Sequence, residues 1–238
     1  MPVTPEELAA RYPRLFHMAD RNSWPSIGAH GLLSTSALLD LFEVDGDDRV
    51  QLEQRHRPES VRIEHPVHGS AVIRDQKPMR DADLDRALQD GLTPQEWYSI
   101  LNAHVFFWPT QERLERMLGA RAYRDREHLV MTVETSELLR TLGGHVRLSH
   151  LNSGATRPFA WPRGRDCFRP LADYGYHERL GRGLDAVAEV AIVRSVPDVH
   201  RFVLLVEVAK AGFPRRELPG WRDLGHAVRR RDQPSDPG

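Results

Sequence analysis

The chain has 238 residues, 40% of them hydrophobic and 28% charged, with a formal net charge of -1. That balance is ordinary for a soluble globular protein and excludes a global electrostatic pull toward nucleic acid or a membrane surface. A single cysteine, Cys167, excludes an intrachain disulfide and any cysteine-based zinc cluster.

All but two of the 33 basic residues are arginine, Lys77 and Lys210 being the exceptions. Arginine supplies fixed, bidentate donors for phosphate and carboxylate. No basic-then-apolar leader opens the chain, and no apolar run approaches ~18 residues. The expectation is a soluble, cytoplasmic protein with one domain over 1–228, a polar variable loop at about 44–69 and a disordered tail at 229–238.

In chain order, Thr4-Pro5-Glu6-Glu7 offers a cap, a proline at the first helical position and a glutamate three residues after the cap, which predicts a short helix. Residues 13–18 read as a strand. Asn22 or Ser23 caps a helix that Gly31 ends, and Ser34 or Thr35 caps another through Phe42. Residues 44–69 are polar and aperiodic, a long surface excursion of the kind that often carries function. A strand at Ser70–Arg74, a helix over 81–89 and a second capping box at Thr93-Pro94-Gln95-Glu96 follow. His104–Trp108 reads as a buried strand, and Thr110 caps a helix with Leu114, Met117 and Leu118 on its apolar face. His128–Val133 is a strand, Thr135 caps a short helix through Arg140, and His145–Leu148 is a strand again. Residues 149–184 are rich in loops, and two late strands lie near 187–194 and 201–208. Short strands mixed with helices, without βαβ alternation, predict an α+β class.

Several residues carry chemistry in more than one reading. His17, alone in an apolar strand, is either a core imidazole or a donor to a ligand ribose or amide. The hydroxyls of Ser34, Thr35 and Ser36 are helix caps or sugar and phosphate contacts. Arg74, followed by Asp75, is a surface ion pair or a guanidinium that clamps a pyrophosphate or stabilises charge at a reaction centre. Phe106, Phe107 and Trp108 are core aromatics, yet strand alternation lets one of them wall a cleft beside a nicotinamide or nucleobase. Glu189 shares a strand face with Val187, Ala191 and Val193. It lies on an exposed edge, or else it is a half-buried carboxylate that holds a ribose hydroxyl and stabilises a positively charged sugar. His65-Pro66-Val67-His68 lacks zinc-helix spacing and a third ligand, so no metal is expected. The chain has no P-loop, nucleophile elbow or dinucleotide glycine fingerprint. Arg229-Arg230-Arg231 reads as a solvated tail.

Taken in order, His17, the helix end Ile27-Gly28-Ala29-His30-Gly31-Leu32-Leu33, Arg74, the strand Val105-Phe106-Phe107-Trp108 and Glu189 resemble the ADP-ribosyltransferase superfamily over roughly residues 12–208. The nearest likeness is to the DarT-like group, which modifies DNA bases. The resemblance implies an ADP-ribosyltransferase-like split mixed β-sheet core with flanking short helices, around a cleft for NAD. It implies an NAD-dependent mono-ADP-ribosyltransferase, a pentosyltransferase that expels nicotinamide and passes ADP-ribose to an acceptor. Glu189 and Arg74 would be its catalytic residues, with Arg80 close enough to compete with Arg74. His17, the Met18 backbone, Ser34, Thr35 and Phe107 would bind NAD, with Phe107 as the aromatic wall. The acceptor expected first is single-stranded DNA or RNA, with protein second. Arg49, Arg55, Arg57 and Arg62 in the variable loop are a candidate groove for a strand, and Asn152 and Thr156 are candidates for the acceptor side. A toxin role would rest on family habit alone. Two alternatives stay open: a non-catalytic nucleotide- or partner-binding module on the same fold, and an RNA 2′-phosphotransferase-like enzyme, which favours more phosphate-gripping basic residues than Arg74.

Overall fold

A computed structural model describes residues 2–175 and 186–223, so the tail expected at 229–238 lies outside the described residues. Along the chain run α1 (Pro5–Arg11), β1 (Arg14–Asp20), α2 (Trp24–His30), β2 (Leu32–Leu33), α3 (Thr35–Leu41), α4 (Gly46–Gln54), β3 (Val61–His65) and β4 (Gly69–Ile73). Then come α5 (Asp81–Ala87), α6 (Pro94–Asn102), β5 (His104–Phe107), α7 (Gln111–Leu118), β6 (His128–Glu134), α8 (Thr135–Leu142) and β7 (Val146–Ser149). The last elements are β8 (Arg169–Pro170), β9 (Glu189–Val193), β10 (Ser195–Val196), β11 (Val203–Ala209) and β12 (Arg216–Glu217). The class is α+β, with small antiparallel sheets and short helices.

The two most deeply buried strands became sheet centres. β6 is buried at every position but its last. It pairs antiparallel with β1 on one side and β11 on the other, in the sheet order β1-β6-β11-β12. With both faces covered, it has no reason to alternate apolar with polar residues. β9 plays the same part in the order β5-β9-β7-β8. β10 with β2, and β3 with β4, form two-stranded sheets. Leu15, Met131 and Val133 from the first large sheet and Val105, Phe107, Val190 and Ile192 from the second share one core cluster. Each such side chain contributes about 1.5–3 kcal/mol by leaving water.

Helix starts follow the local chemistry in most places. Thr4 and Thr93 form capping boxes, and Ser34 and Thr110 accept from the backbone N–H groups of Ala37 and Arg113. Two capping expectations are corrected. Ser23 occupies the position before α2 but makes no capping bond. Thr135 is the first residue of α8 rather than its cap, and its hydroxyl donates to Tyr12 O at 2.5 Å, tying α8 to the end of α1.

The 44–69 segment is also not the aperiodic excursion expected. It contains α4 and most of the β3–β4 hairpin. No residue of α4 is buried, so no apolar stripe announces it. Polar ties hold it instead, with Arg49 bridging Asp40 at 2.6 Å and Glu53 at 2.9 Å. The hairpin buries Ile63, Ala71 and Ile73 against Leu38, Leu39 and Phe42.

What positions the site is the line where the two large sheets meet. The edge strands β1 and β5 approach each other, but the ladder closes at one bridge only, Phe16 with Trp108. Phe16 N donates to Trp108 O at 2.9 Å, and Trp108 N donates back at 2.8 Å. Beside the bridge, His17 Nδ1 reaches Phe106 O at 2.8 Å. Past this point the sheets part and a cavity opens.

Gly31 sets the cavity's far wall. It ends α2 at φ +78°, and a Cβ there would stand 2.6 Å from Val196 O, because β2 and β10 pair directly beyond it. Gly31→Ala is expected to lose about 2–4 kcal/mol of stability through left-handed strain plus the clash, as measured by urea denaturation.

Candidate functional site

The cavity has a volume of about 300 Å³ and is lined by residues far apart in the chain, from His17 to Glu189. β1 brings His17 and Met18, the start of α3 brings Ser34 and Thr35, and the residue after β4 is Arg74. Phe106 enters from β5 and Trp108 from the residue after it, Tyr123 from the stretch before β6, Asn152 and Ser153 from the turn after β7, and Glu189 from the first position of β9.

His17 donates from Nδ1 to a carbonyl that can only accept, so its Nε2 carries the free lone pair. Burial lowers its pKa to about 4, against the opposing bond to Phe106 O, and the charge of Arg74 pushes the same way as burial. The imidazole is therefore a neutral acceptor at physiological pH. Strand alternation sends both backbone groups of Met18 in the direction taken by those of Phe16, away from β6 and into the opening. Met18 O accepts from Arg74 Nη1 at 3.3 Å.

Among the described residues that is the one hydrogen bond the Arg74 side chain makes, which leaves most of its N–H donors unspent. Its guanidinium lies 5.1 Å from the ring centre of Tyr123. The Tyr123 hydroxyl donates to Asp75 Oδ1 at 2.7 Å, and Ser60 donates to Oδ2 at 2.9 Å. Burial works to raise the Asp75 pKa, but these bonds and Arg74 outweigh it and bring the carboxyl below its ordinary value. The result is a fixed cation backed by a buried, ionised carboxylate. Arg80, the competing arginine, sits before α5 and is half-exposed, 3.7 Å from Asp83, and does not line the cavity.

Glu189 is 6% exposed. Its Oε2 accepts from both the hydroxyl of Ser153, at 2.6 Å, and the Ser153 N–H, at 3.1 Å. Burial raises its pKa to about 7, with the Ser153 bonds, Arg113 and Arg163 acting in the opposite direction. This carboxyl changes charge within the range where an acid–base or electrostatic role operates.

The remaining expected residues are divided. The Ser34 hydroxyl is occupied as the α3 cap, whereas Thr35, the first residue of α3, lines the cavity with no bonded partner for its hydroxyl among the described residues. Phe107 is corrected: it is 1% exposed in the main core and does not line the cavity. Alternation along β5 turns Phe107 inward and gives the cavity Phe106 and Trp108 instead. Phe107 meets the site only indirectly, with its ring centre 5.6 Å from that of His17. Thr156 is buried, bonded to Arg80 N and Pro78 O, and lies off the cavity, while Asn152 lines it.

The arginine groove expected in 44–69 does not form. Arg57 is buried and donates to Arg74 O, Asn102 Oδ1 and Leu52 O, and Arg49 and Arg62 are engaged with neighbouring carboxylates. Ser153, Tyr123 and Asp75 were missed as site residues. The neighbourhood of Asn152 pointed toward Ser153, and Asp75 was read only as an ion-pair partner of Arg74. Among the described residues no group of three or more His, Cys, Asp or Glu is placed to hold a metal ion, and no helix is long and apolar enough to cross a membrane.

The raised Glu189 pKa has a stability consequence. Between the ordinary 4.5 and about 7, the folded chain keeps a proton that the unfolded chain has lost. Stability therefore falls as pH rises through that window, by up to about 3 kcal/mol. Glu189→Gln removes this dependence. Urea denaturation should find the variant close to wild type near pH 5 and more stable than wild type near pH 8.

The sequence profile of a protein family described as a family of unknown function (DUF7002) matches residues 13–203. No curated protein and no solved structure matches the chain. The matched span runs from the residue before β1 to the first residue of β11 and takes in His17, Arg74 and Glu189. The chain belongs to the DUF7002 family.

Proposed function

We propose that this protein is an NAD-dependent mono-ADP-ribosyltransferase of the DarT-like kind, built on an ADP-ribosyltransferase-like split sheet. The observation that carries the reading is the meeting, in one cavity at the parting of two sheets, of a neutral imidazole, an arginine with unspent donors and a buried carboxyl that ionises near neutrality.

The donor set suits NAD part by part. Arg74 offers paired N–H groups to the pyrophosphate. His17 Nε2 accepts from a ribose hydroxyl, and the outward N–H of Met18 meets the nicotinamide amide. Trp108 or Phe106 stands where Phe107 was expected, as a flat wall. A cavity of about 300 Å³ is smaller than the whole dinucleotide, so the adenosine end would run along the open rim. Bound NAD supplies a glycosidic bond between ribose C1′ and the nicotinamide nitrogen, which leaves with the bonding electrons. Glu189, ionised, faces the positive charge that grows on the ribose. It then takes the proton that the acceptor gives up as its nucleophile joins C1′.

The turn that supplies Ser153 continues into a loop bearing exposed Phe159 and Trp161, whose ring centres are 6.4 Å apart. Arg157, at the start of this loop, lies 3.8 Å from Asp83 of α5. Paired exposed rings give a base of a single strand a face on which to stack.

Nicotinamide release from NAD is the test, run alone and with single-stranded DNA, RNA or protein. Release is expected to depend on one nucleic acid and to fall at least about 100-fold in Glu189→Gln. Arg74→Gln is expected to raise KM for NAD about tenfold or more with a smaller effect on kcat. No release with any acceptor, and no rise in Tm with NAD, would overturn the proposal.

A further inference from the structure

Arg163 is 1% exposed, a placement that a guanidinium rarely takes without a carboxylate bonded to it. Its partners here are carbonyls of its own loop. Nε donates to Trp161 O at 3.0 Å, Nη1 to Ser153 O at 3.0 Å and Nη2 to Ala155 O at 2.9 Å. The guanidinium also lies 5.8 Å from the ring centre of Trp97. Arginine alone presents a planar fork of donors that can gather such a set.

The backbone of Arg163 is anchored in turn. Its N–H donates to Ala87 O at 2.9 Å, and its carbonyl accepts from Gln89 N at 2.8 Å, in a bridge to Leu88 beyond the end of α5. A continuous chain of contacts thus runs from the α5–α6 connection through Arg163 to the Ser153 carbonyl. Ser153 is gripped there on one side, while its N–H and hydroxyl both point at Glu189.

We propose that Arg163 is a positioning residue for Glu189, acting through Ser153: it fixes the turn so that both Ser153 donors meet the carboxylate. What Glu189 does when so held rests on the transferase reading; the positioning itself does not. Two cations act on Glu189, Arg163 from this loop and Arg113 from α7, alongside the Ser153 donors. A pure charge effect of Arg163 must therefore be separated from its grip on the loop. Lysine keeps the charge and loses the fork, which makes Arg163→Lys the deciding substitution.

The experiment is a pH titration of the Glu189 side-chain carboxyl by carbon-13 NMR, its resonance identified by its loss in Glu189→Gln. Ser153→Ala, Arg163→Lys and Arg163→Gln are each expected to move the Glu189 midpoint upward by about one pH unit. Ser153→Ala combined with Arg163→Lys is expected to shift it by clearly less than the sum of the two single shifts, because the hydroxyl contact is common to both and only the Ser153 N–H is left for Arg163 to orient. In the wild type, the Arg163 Nε–H resonance is expected to titrate with the Glu189 midpoint, a readout that needs no variant to fold. An unmoved midpoint in folded Arg163→Lys, additive shifts in the double variant, or an Nε–H resonance blind to the Glu189 titration would each overturn the proposal. The NMR readout needs no turnover. A protein that releases no nicotinamide yet shows these shifts loses the transferase reading and keeps the positioning role; release without the shifts does the reverse.

Discussion

Two antiparallel sheets meet edge to edge in this protein, and their shared ladder closes at a single bridge, Phe16 with Trp108. An edge strand turned toward the interior leaves backbone donors and acceptors that must be met by something other than a neighbouring strand. Here side chains meet them: His17 takes Phe106 O, and Arg74 takes Met18 O. The polar side chains at the seam are thus in place for a structural reason, and that same reason holds them at the mouth of a cavity. Each points one group at the backbone and keeps others free, as the remaining donors of Arg74 and the Nε2 of His17 show. A more complete junction of the sheets would have been more ordinary and would have left no room for a ligand.

Around this seam the chain buries charge in a consistent manner. Arg57 and Arg163 are both buried, and both spend their donors mainly on backbone carbonyls. Each fastens one segment to another: Arg57 joins the end of α4 to Arg74, the residue after β4, and Arg163 closes the turn after β7. Burial pulls the Arg57 pKa down to about 10, with Asp75 and Tyr98 acting against that pull, and the group stays cationic near neutrality. Removing such a group strands several carbonyls at once, so these residues stabilise geometry more than they add net energy. Asp75 and Glu189 form the acidic counterpart. Asp75 has enough donors to stay ionised, whereas Glu189 has fewer and titrates near 7. Two buried carboxyls flank one cavity with different charge states, set by how strongly burial acts on each and by whether the donors that reach it outweigh that burial.

Much of the architecture was legible because its signals are local. The capping boxes at Thr4 and Thr93, the caps at Ser34 and Thr110, and the apolar runs of β6 and β9 each reside within a few residues. The α+β class followed from their order. His17, Arg74 and Glu189 stood out because each is a polar residue in or beside an apolar strand, and all three line the cavity. What escaped notice depends on partners distant in the chain. A four-residue strand announces that Phe106 and Phe107 face opposite ways, but only pairing with β9 and the bridge to Phe16 decides which of them meets the opening. Ser153 is one serine in a polar turn until Glu189 is brought against it. α4 was hidden for another reason: it buries nothing, so it has no pattern to read.

The family match stops at the first residue of β11, yet β11 is integral to the sheet. It covers the side of β6 opposite β1, pairing from Val203 to Ala209, with Val206 and Val208 buried. A fragment cut at residue 203 would leave the most deeply buried strand of that sheet with an open edge, and such an edge invites strand addition from a neighbouring chain. The smallest unit that keeps this sheet intact is therefore longer than the span by which the family is recognised, and fragments trimmed to that span would self-associate in proportion to their concentration.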